Sequence, residues 1–245
     1  MPEITRQIIH SDDDIEITYQ AGTSDQAVVS FTGIGFGMHG IQIEEFRKTL
    51  SRDTNHVYYV IDRSRHWYNS SFGKIADTLN GDFAKNGVNR VVTLGNSMGG
   101  FGAVIFATVL HGCQRSIAFS AQSAIDPSIV PWDRRFKKLT DSVQRWTGLD
   151  AMNGLRADHY YFLFFGHTDP IDVRHAARFA SGDCATMSIC LVDGTGHAVA
   201  ADLKKRGILS KLMVALIDSD GPCIDMRNLF DAVPHQMLLK PANCS

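Results

Sequence analysis

The sequence has no excess of charge of either sign. Its 245 residues include 24 Lys and Arg and 26 Asp and Glu, which gives a formal net charge of -2. Such a balance argues against a protein that binds nucleic acid or an anionic membrane through a basic surface. The hydrophobic share of 44% and the charged share of 20% are instead typical of a globular protein with a sizeable core.

Long apolar runs are also missing. No run approaches the roughly 20 residues that a bilayer-spanning helix needs. The N-terminal stretch MPEITRQIIHSDDD lacks the basic lead and apolar centre of a signal peptide. We therefore expect a cytoplasmic protein that does not use a membrane.

Cysteine and metal-ligand patterns are sparse. The five cysteines are odd in number and form no CxxC pair, so reduced thiols are expected. The histidines show no HExxH spacing or other recognisable ligand set. We expect neither a metal nor a cofactor.

Short apolar runs dominate the chain after Gly22. Two earlier runs, EITRQIIH and IEITYQA, alternate apolar with polar residues and predict an antiparallel pair of strands. The later runs are rich in Val, Ile, Phe and Tyr, as in strands buried on both faces of a parallel sheet. They read QAVVSFTG, HVYYVID, RVVTLGN, RSIAFSA, YYFLFFG and TMSICLV.

Predicted helices alternate with these strands and indicate an α/β fold with a mostly parallel central sheet and helices on both faces. Their expected ranges are Ile41–Ser51, Gly73–Asn86, Met98–His111, Val173–Ser181 and Ala198–Ile217. We expect one domain over residues 1–245. An insertion at about 125–158, with apolar residues at helical spacing, predicts a short helical lid. The tail at about 219–245 is left unassigned.

The stretch RVVTLGNSMGGFGAV sets a serine between glycines, after a strand and before a helix. A sharp strand–nucleophile–helix turn needs small residues two positions before and after the nucleophile, and Gly95 and Gly99 meet this need. Ser97 is therefore the candidate nucleophile. A serine hydroxyl attacks well only when a base accepts its proton.

Partners for Ser97 are predicted on other loops at the same sheet edge. His197 follows the last parallel strand and is the candidate base. Asp169, just past YYFLFFG, is the favoured acid, and the order Ser97…Asp169…His197 fits this architecture. Asp126 and Asp193 are the rival acids.

On these residues the chain resembles the α/β-hydrolase superfamily, and GNSMGG resembles the GxSxG loop of serine esterases. The similarity of element order runs roughly from Asp14 to Ile217. It implies hydrolysis of a carboxylic ester or thioester with a small to medium acyl group, through an acyl-enzyme. Acyl transfer by the same triad remains open, as does a non-catalytic ligand-binding or partner-binding role.

The resemblance also implies an oxyanion hole made by backbone N–H groups of Met98 and of the loop after QAVVSFTG. Related hydrolases often have His-Gly-X in that loop, and here Thr32-Gly33-Ile34 occupies the place. Ile34 is then the expected second donor. The missing histidine means that another group must support the loop.

A competing interpretation uses the same loop. Gly35, Gly37 and Gly40 match GxGxxG, and Asp62 ends the next strand at the spacing typical of dinucleotide binding. This alternative predicts an NAD(P)-dependent oxidoreductase. It leaves Ser97 and His197 unexplained.

Other residues are candidates for the substrate pocket. Trp67 and Tyr68 follow the strand HVYYVID and are expected to line it, while Arg63 or Arg65 could meet an acidic group. The basic residues Arg134, Arg135, Lys137 and Lys138 are interpreted as a solvated helix face. The expected partner is a small acyl substrate; the oligomeric state is not predicted.

Overall fold

A computed structural model describes residues 6–35, 41–50, 54–147, 149–182, 184–219 and 233–239. Their strands form one nine-stranded sheet in the order β1-β2-β4-β3-β5-β6-β7-β8-β9. The strands are Arg6–Ser11 (β1), Ile15–Gln20 (β2), Gln26–Phe31 (β3), His56–Asp62 (β4), Arg90–Asn96 (β5), Cys113–Phe119 (β6), Tyr160–Gly166 (β7), Met187–Val192 (β8) and His235–Leu239 (β9).

Strands β3 to β8 pair in parallel, and the pairs β1–β2, β2–β4 and β8–β9 are antiparallel. The predicted antiparallel strand pair at the N-terminus is confirmed. Every residue of β3 and β8 is buried, as expected for strands covered on both faces. The carboxyl ends of the parallel strands therefore share one edge, where loops can assemble a site.

The described helices are Arg47–Leu50 (α1), Phe72–Asn86 (α2), Met98–Phe106 (α3), Lys137–Thr140 (α4), Pro170–Ala180 (α5), Val199–Lys205 (α6) and Leu209–Asp218 (α7). Apolar residues of α2, α3 and α5 pack on one face of the sheet. Those of α1, α6 and α7 pack on the other. The predicted α/β class, with helices on both faces, is confirmed.

Three predicted helices are shorter than expected. The range Met98–His111 is helical only as far as Phe106. The range Ala198–Ile217 divides into α6 and α7 because Gly207 adopts a φ of 73° between them. In the range Ile41–Ser51 only Arg47–Leu50 is helical, and Ser51 lies outside the described residues. The carbonyls of Ile43 and Glu45 instead accept hydrogen bonds from side chains on and beyond β3, so this backbone braces a loop.

The predicted helical lid is not a helical element in the described part of residues 125–158. It contains one four-residue helix, α4, and otherwise irregular backbone. Bonds from Asn69 to Arg145 and Thr147, and from Arg178 to Asp150, fix the segment to the rest of the structure. Trp132 and Phe136 pack on His175 and Trp67, so their apolar spacing serves packing without a long helix.

Part of the unassigned tail joins the sheet. Residues His235–Leu239 form β9, antiparallel to β8, and the rest of 220–245 lies outside the described residues apart from Val233 and Pro234. Cys113, Cys184 and Cys190 carry free thiols. Among the described helices, none is both long and apolar enough to cross a bilayer.

Candidate active site

Ser97 lies at the sharp turn between β5 and α3. Its backbone has a φ of 56° and a ψ of -119°, a conformation that is strained for a residue with a side chain. Two hydrogen bonds hold it there, from Ser97 N–H to the Phe119 carbonyl at 2.8 Å and from Phe101 N–H to the Ser97 carbonyl at 3.0 Å. The turn thus presents the hydroxyl at the sheet edge, as predicted.

The two glycines around Ser97 are needed for close backbone approach. A Cβ on Gly95 would lie 2.0 Å from the carbonyl oxygen of Gly99. One on Gly99 would lie 2.0 Å from the carbonyl oxygen of Phe31. No side chain fits at either distance, so the spacing of the GxSxG pattern follows from steric constraints.

His197 meets the serine hydroxyl from the loop after β8. Its Nε2 lies 2.8 Å from Ser97 Oγ. The Ser120 hydroxyl donates to the His197 carbonyl at 2.8 Å and so fixes this loop against the end of β6. Ser97 and His197 are therefore brought together as the sequence predicts.

The acid beside His197 is Asp172, not Asp169. Both Asp172 carboxylate oxygens lie 2.9 Å from His197 Nδ1. Asp169 instead caps α5, where its Oδ1 accepts the N–H groups of Ile171 at 2.9 Å and Asp172 at 3.0 Å. The expectation that Asp169 orients His197 is therefore wrong, and the residue in contact with His197 is Asp172, about one helical turn later.

The two rival acids are also placed elsewhere. Asp126 accepts from the backbone N–H and hydroxyl of Ser128. Asp193 pairs with His167 at 2.6 Å in an exposed position. Neither is among the hydrogen-bond partners of His197 in the described structure.

The pKa of Asp172 lies below its ordinary value. Burial alone raises this pKa, but the hydrogen bond and charge of His197, followed by those of Arg135, outweigh the burial. Only 1% of the Asp172 side chain is exposed. The carboxylate is therefore ionised at neutral pH despite its burial.

Arg135 is a residue of this site that sequence reasoning assigned to a solvated face. Its Nη1 donates to Asp172 Oδ1 at 2.7 Å, and its Nε and Nη2 donate to the two oxygens of Asp133 at 3.0 and 2.8 Å. Arg134, Lys137 and Lys138 are exposed, as expected. Arg135 is the exception, since it bridges two buried carboxylates.

Asp133 connects Arg135 to a second histidine, His175. The His175 Nε2 lies 2.9 Å from Asp133 Oδ2, and the Ser123 N–H donates to His175 Nδ1 at 3.0 Å. Because Nδ1 accepts, the proton of the neutral ring must be on Nε2. Burial lowers the pKa of His175, which agrees with a neutral ring. Ser123, His175 and Asp133 are also a serine, a histidine and an acid in contact. All three are buried, so they form an internal hydrogen-bond chain and not a second candidate active site.

Gln122 is a further contact of the nucleophile that the sequence did not reveal. The Trp67 indole N–H donates to Gln122 Oε1 at 3.1 Å. Since indole can only donate, this bond directs the amide nitrogen of Gln122 toward Ser97 Oγ, 3.3 Å away. Ser97 Oγ thus has an amide donor on one side and His197 on the other.

The loop Thr32-Gly33-Ile34 is held by several side chains in place of the missing histidine. Tyr68 donates to the Thr32 carbonyl at 2.7 Å, and Glu45 accepts the Gly33 N–H at 3.1 Å. Gln42 donates to the Gly33 carbonyl at 3.1 Å and Arg65 to the Ile34 carbonyl at 3.0 Å. Within the described chain, the Ile34 and Met98 N–H groups have no hydrogen-bond acceptor.

Trp67 and Tyr68 do not line an open pocket, contrary to the expectation. Trp67 is 0% and Tyr68 1% exposed. Tyr68 packs edge-on against Phe31 and Phe106. Both aromatics instead hold neighbouring residues of the site in place. The Trp67 indole N–H donates to Gln122, and the Tyr68 hydroxyl donates to the Thr32 carbonyl.

Open space lies on the face of the sheet that α1 and α6 cover, and its described walls do not include Ser97 or His197. A cavity of about 980 Å³ reaches Asn96, the residue before Ser97. Its described walls include Glu45 and Phe46 from the loop before α1, and Ala200, Ala201 and Lys204 from α6. The lining is a mixture of polar and apolar side chains.

The dinucleotide interpretation loses its acid. Asp62 is 1% exposed and accepts hydrogen bonds from the Tyr68 N–H at 2.8 Å and the Ser64 hydroxyl at 2.6 Å. It is therefore a turn residue that cannot reach a ribose. Gly35 adopts a φ of 83°, and Gly37 and Gly40 lie outside the described residues.

One group of possible metal ligands exists in the described structure. Asp169, Asp172 and His197 offer ligand atoms within 4.8 Å of one another. Arg135 Nη1 already lies 2.7 Å from Asp172 and 3.6 Å from Asp169. A guanidinium at this place supplies the positive charge, so the arrangement does not favour a metal ion.

Comparisons with known proteins find one family model and many structures of the same fold. Residues 61–157 match the family model described as "Putative esterase". Among curated proteins, none matches the sequence significantly.

Solved structures share the fold at low sequence identity. An esterase from Pyrobaculum calidifontis has a TM-score of 0.59 at 13% identity, over 89% of this chain and 85% of that chain. A structure from Staphylococcus aureus titled as a "putative esterase" has a TM-score of 0.61 at 14% identity, over 89% and 84%. The acylaminoacyl peptidase of Pyrococcus horikoshii gives 0.64 at 13% identity, over 93% of this chain but only 44% of that longer chain.

Proposed function

We propose that the chain is a member of the α/β-hydrolase superfamily and a serine hydrolase that cleaves carboxylic esters or thioesters; the esterase family model over residues 61–157 and the shared fold support this. The observation that carries the proposal is the chain of contacts from Ser97 Oγ to His197 Nε2 at 2.8 Å, and from His197 Nδ1 to Asp172 at 2.9 Å. This is the nucleophile–base–acid order that acyl transfer requires. The match to an esterase family model supports esters as the substrate class.

In the first half-reaction, Ser97 Oγ attacks the acyl carbon and its proton passes to His197 Nε2. Asp172 stabilises the imidazolium that forms and stays ionised itself. His197 then gives the proton to the departing alkoxide or thiolate, which leaves an acyl-enzyme on Ser97. In the second half-reaction, water loses a proton to His197 and attacks the acyl carbon. His197 then returns that proton to Ser97 Oγ as the acyl–Oγ bond breaks, which releases the carboxylic acid and restores Ser97.

The oxyanion of each tetrahedral intermediate needs hydrogen-bond donors that are already in place. We assign this role to the N–H groups of Ile34 and Met98. The hydrogen bonds of the loop at Ile34 support this assignment. The carbonyls of Thr32, Gly33 and Ile34 and the N–H of Gly33 all make hydrogen bonds to side chains, while the N–H groups of Ile34 and Met98 have no acceptor among the described residues. Met98 also begins helix α3, whose N-terminus favours negative charge.

The space beside Asn96 supports a substrate of small to medium size with some polar character. A volume of about 980 Å³ is ample for such a molecule, and the carboxylates of Glu16, Glu44 and Glu45 line it together with Lys204. Free thiols at all described cysteines suit a reducing compartment, and we propose the cytoplasm as the location.

The test is intact-mass measurement after treatment with a fluorophosphonate, followed by a panel of ester and thioester substrates. We expect one adduct on the wild type, none on Ser97→Ala, and one on Ser123→Ala. The last variant is a matched control because Ser123 also contacts a histidine but is buried. A wild type that folds correctly and takes no adduct would contradict the proposal.

A further inference from the structure

Arg135 lies in direct contact with the acid–base pair of the site. Its Nη1 is 2.7 Å from Asp172 Oδ1 and 3.3 Å from His197 Nδ1. Since His197 Nδ1 lies 2.9 Å from both Asp172 oxygens, it carries a proton and cannot accept one from Arg135. The contact between Arg135 and His197 is thus a close approach of a cation to a ring that becomes a cation during the reaction.

The charges around His197 explain why a cation is needed there. From α5, the Asp172 and Asp169 carboxylates both come within 4.8 Å of His197. From the segment 125–158, Asp133 lies behind Arg135, to which its two oxygens are bonded. Without Arg135, the two α5 carboxylates would lie beside the imidazole, and Asp133 nearby would lose its partner, with no fixed cation to offset their charge. Such an environment holds a histidine in its protonated form, in which it cannot accept the proton of Ser97.

Arg135 is fixed in position by bonds that do not involve the substrate. Asp133 holds the guanidinium through two bonds, at 3.0 and 2.8 Å. His175 holds Asp133 at 2.9 Å, and the Ser123 backbone holds His175 at 3.0 Å. These groups are buried, and the Arg135 side chain is only 19% exposed. Three of its N–H groups are therefore committed to carboxylates of the protein, so its role is toward Asp172 and His197.

We propose that Arg135 is a positioning residue that anchors Asp172 and supplies a fixed positive charge beside His197 that offsets the neighbouring carboxylates. The inference rests on the proposed hydrolase function and names a second layer of the same site. Ser97 is not among the described contacts of Arg135, so Arg135 acts through Asp172 and His197. Its neighbours Asp133, His175 and Ser123 have the task of holding it, which gives this buried serine–histidine–acid chain a function other than catalysis.

The experiment measures kcat and KM between pH 5 and 9 for the wild type, Arg135→Gln, Arg135→Lys and Arg134→Gln. In Arg135→Gln, loss of the cation favours the imidazolium, so the acidic limb of the kcat/KM profile should move to higher pH. At pH 7, kcat should fall roughly tenfold while KM changes little, because the residue does not bind substrate. Arg134→Gln is the matched control, since Arg134 is exposed and its neighbouring contact is the Pro131 carbonyl.

Arg135→Lys separates charge from geometry. Lysine keeps the positive charge but cannot bridge two carboxylates with a planar fork. We expect the acidic limb to stay near that of the wild type while kcat falls. If Arg135→Gln does not fold, this variant decides the matter alone: unchanged kcat in folded Arg135→Lys overturns the proposal.

Failure of this inference is distinguishable from failure of the proposed function. An active wild type whose Arg135→Gln variant loses kcat equally at every pH would show a merely structural role and overturn the inference. An inactive wild type would remove the proposed function as well. A titration of the His197 ring followed by proton NMR gives an answer independent of substrate: its midpoint should rise in Arg135→Gln, and an unmoved midpoint contradicts the proposal.

Discussion

The Asp172 carboxylate lies 2.9 Å from His197 Nδ1 through both of its oxygens, although the two residues are 25 positions apart. The helix α5 makes this possible. Asp169 caps its N-terminus, and Asp172, three residues later, then faces the loop after β8. The cap and the acid are therefore two carboxylates with different tasks, one turn apart.

Replacing each of these acids should separate the tasks. In Asp172→Asn the ring of His197 loses its charged partner, so we expect kcat to fall by about four orders of magnitude. Asp169→Asn should change kcat by less than about threefold, because asparagine caps a helix as well as aspartate does. Steady-state kinetics on both variants, with thermal unfolding as a check on folding, measures this. A large loss in Asp169→Asn with Asp172→Asn active would reverse the assignment.

The contrast between these acids shows what the sequence could predict. Ser97 and His197 follow strands directly, so local pattern and the rule for parallel sheets place both at one edge. Asp172 sits inside a helix, and only the exact start of that helix decides which acid faces the site. The Asp-Pro pair at positions 169 and 170 is itself a helix-start signal, and it would have assigned Asp169 to the cap.

Arg135 and Gln122 could not be found from local pattern. Arg135 reaches Asp172 across 37 residues, and Gln122 reaches Ser97 across 25. Both contacts depend on how irregular segments cross the sheet edge, which neither periodicity nor motif spacing records. The same applies to Trp132 and Phe136, whose helical spacing was satisfied by packing on His175 and Trp67 instead.

Gln122 should contribute to kcat through its bond to Ser97. In Gln122→Met the hydroxyl loses the donor at 3.3 Å, and we expect kcat to fall roughly tenfold, near the value of one hydrogen bond. Trp67→Phe removes the indole N–H that orients the amide and should reduce kcat by a smaller factor.

The double variant tests whether Trp67 acts through Gln122. If it does, Gln122→Met combined with Trp67→Phe should have the kcat of Gln122→Met alone. Losses that multiply would mean that Trp67 influences the site independently, for instance through its packing on Phe136. Thermal unfolding of each variant separates this effect from a loss of folded protein.

Glu45 should make the stability of the protein depend on pH. Burial raises the pKa of this carboxyl from 4.5 to about 7, and the Gly33 N–H only partly offsets the effect. Below about pH 4.5 the folded and unfolded chains both hold the proton. Between about pH 4.5 and 7 the unfolded chain has released it while the folded chain retains it, so stability decreases as the pH rises. Above pH 7 the loss is complete.

Glu45→Gln removes this titration while keeping an acceptor for Gly33. The Tm of the variant, relative to the wild type, should therefore be higher at pH 8 than at pH 5. Asp77→Asn, which changes an exposed carboxylate on α2, is the control and should show no such trend. An equal Tm difference at both pH values for Glu45→Gln would contradict the raised pKa.

Two glycine-to-alanine variants test the steric basis of the nucleophile turn. In Gly99→Ala the new methyl group would lie 2.0 Å from the Phe31 carbonyl oxygen, so α3 or β3 must move. A shift of this size next to Ser97 should reduce kcat/KM by about 100-fold or more and lower the Tm.

Gly81→Ala, in the interior of α2, places its methyl group where no atom lies within 4 Å. It should leave kcat/KM unchanged and raise stability by about 1 kcal/mol, because alanine loses less backbone entropy than glycine in a helix. We therefore expect kcat/KM and Tm to fall together in Gly99→Ala, and only the Tm to change in Gly81→Ala. A fully active Gly99→Ala would contradict the steric requirement for glycine at this turn.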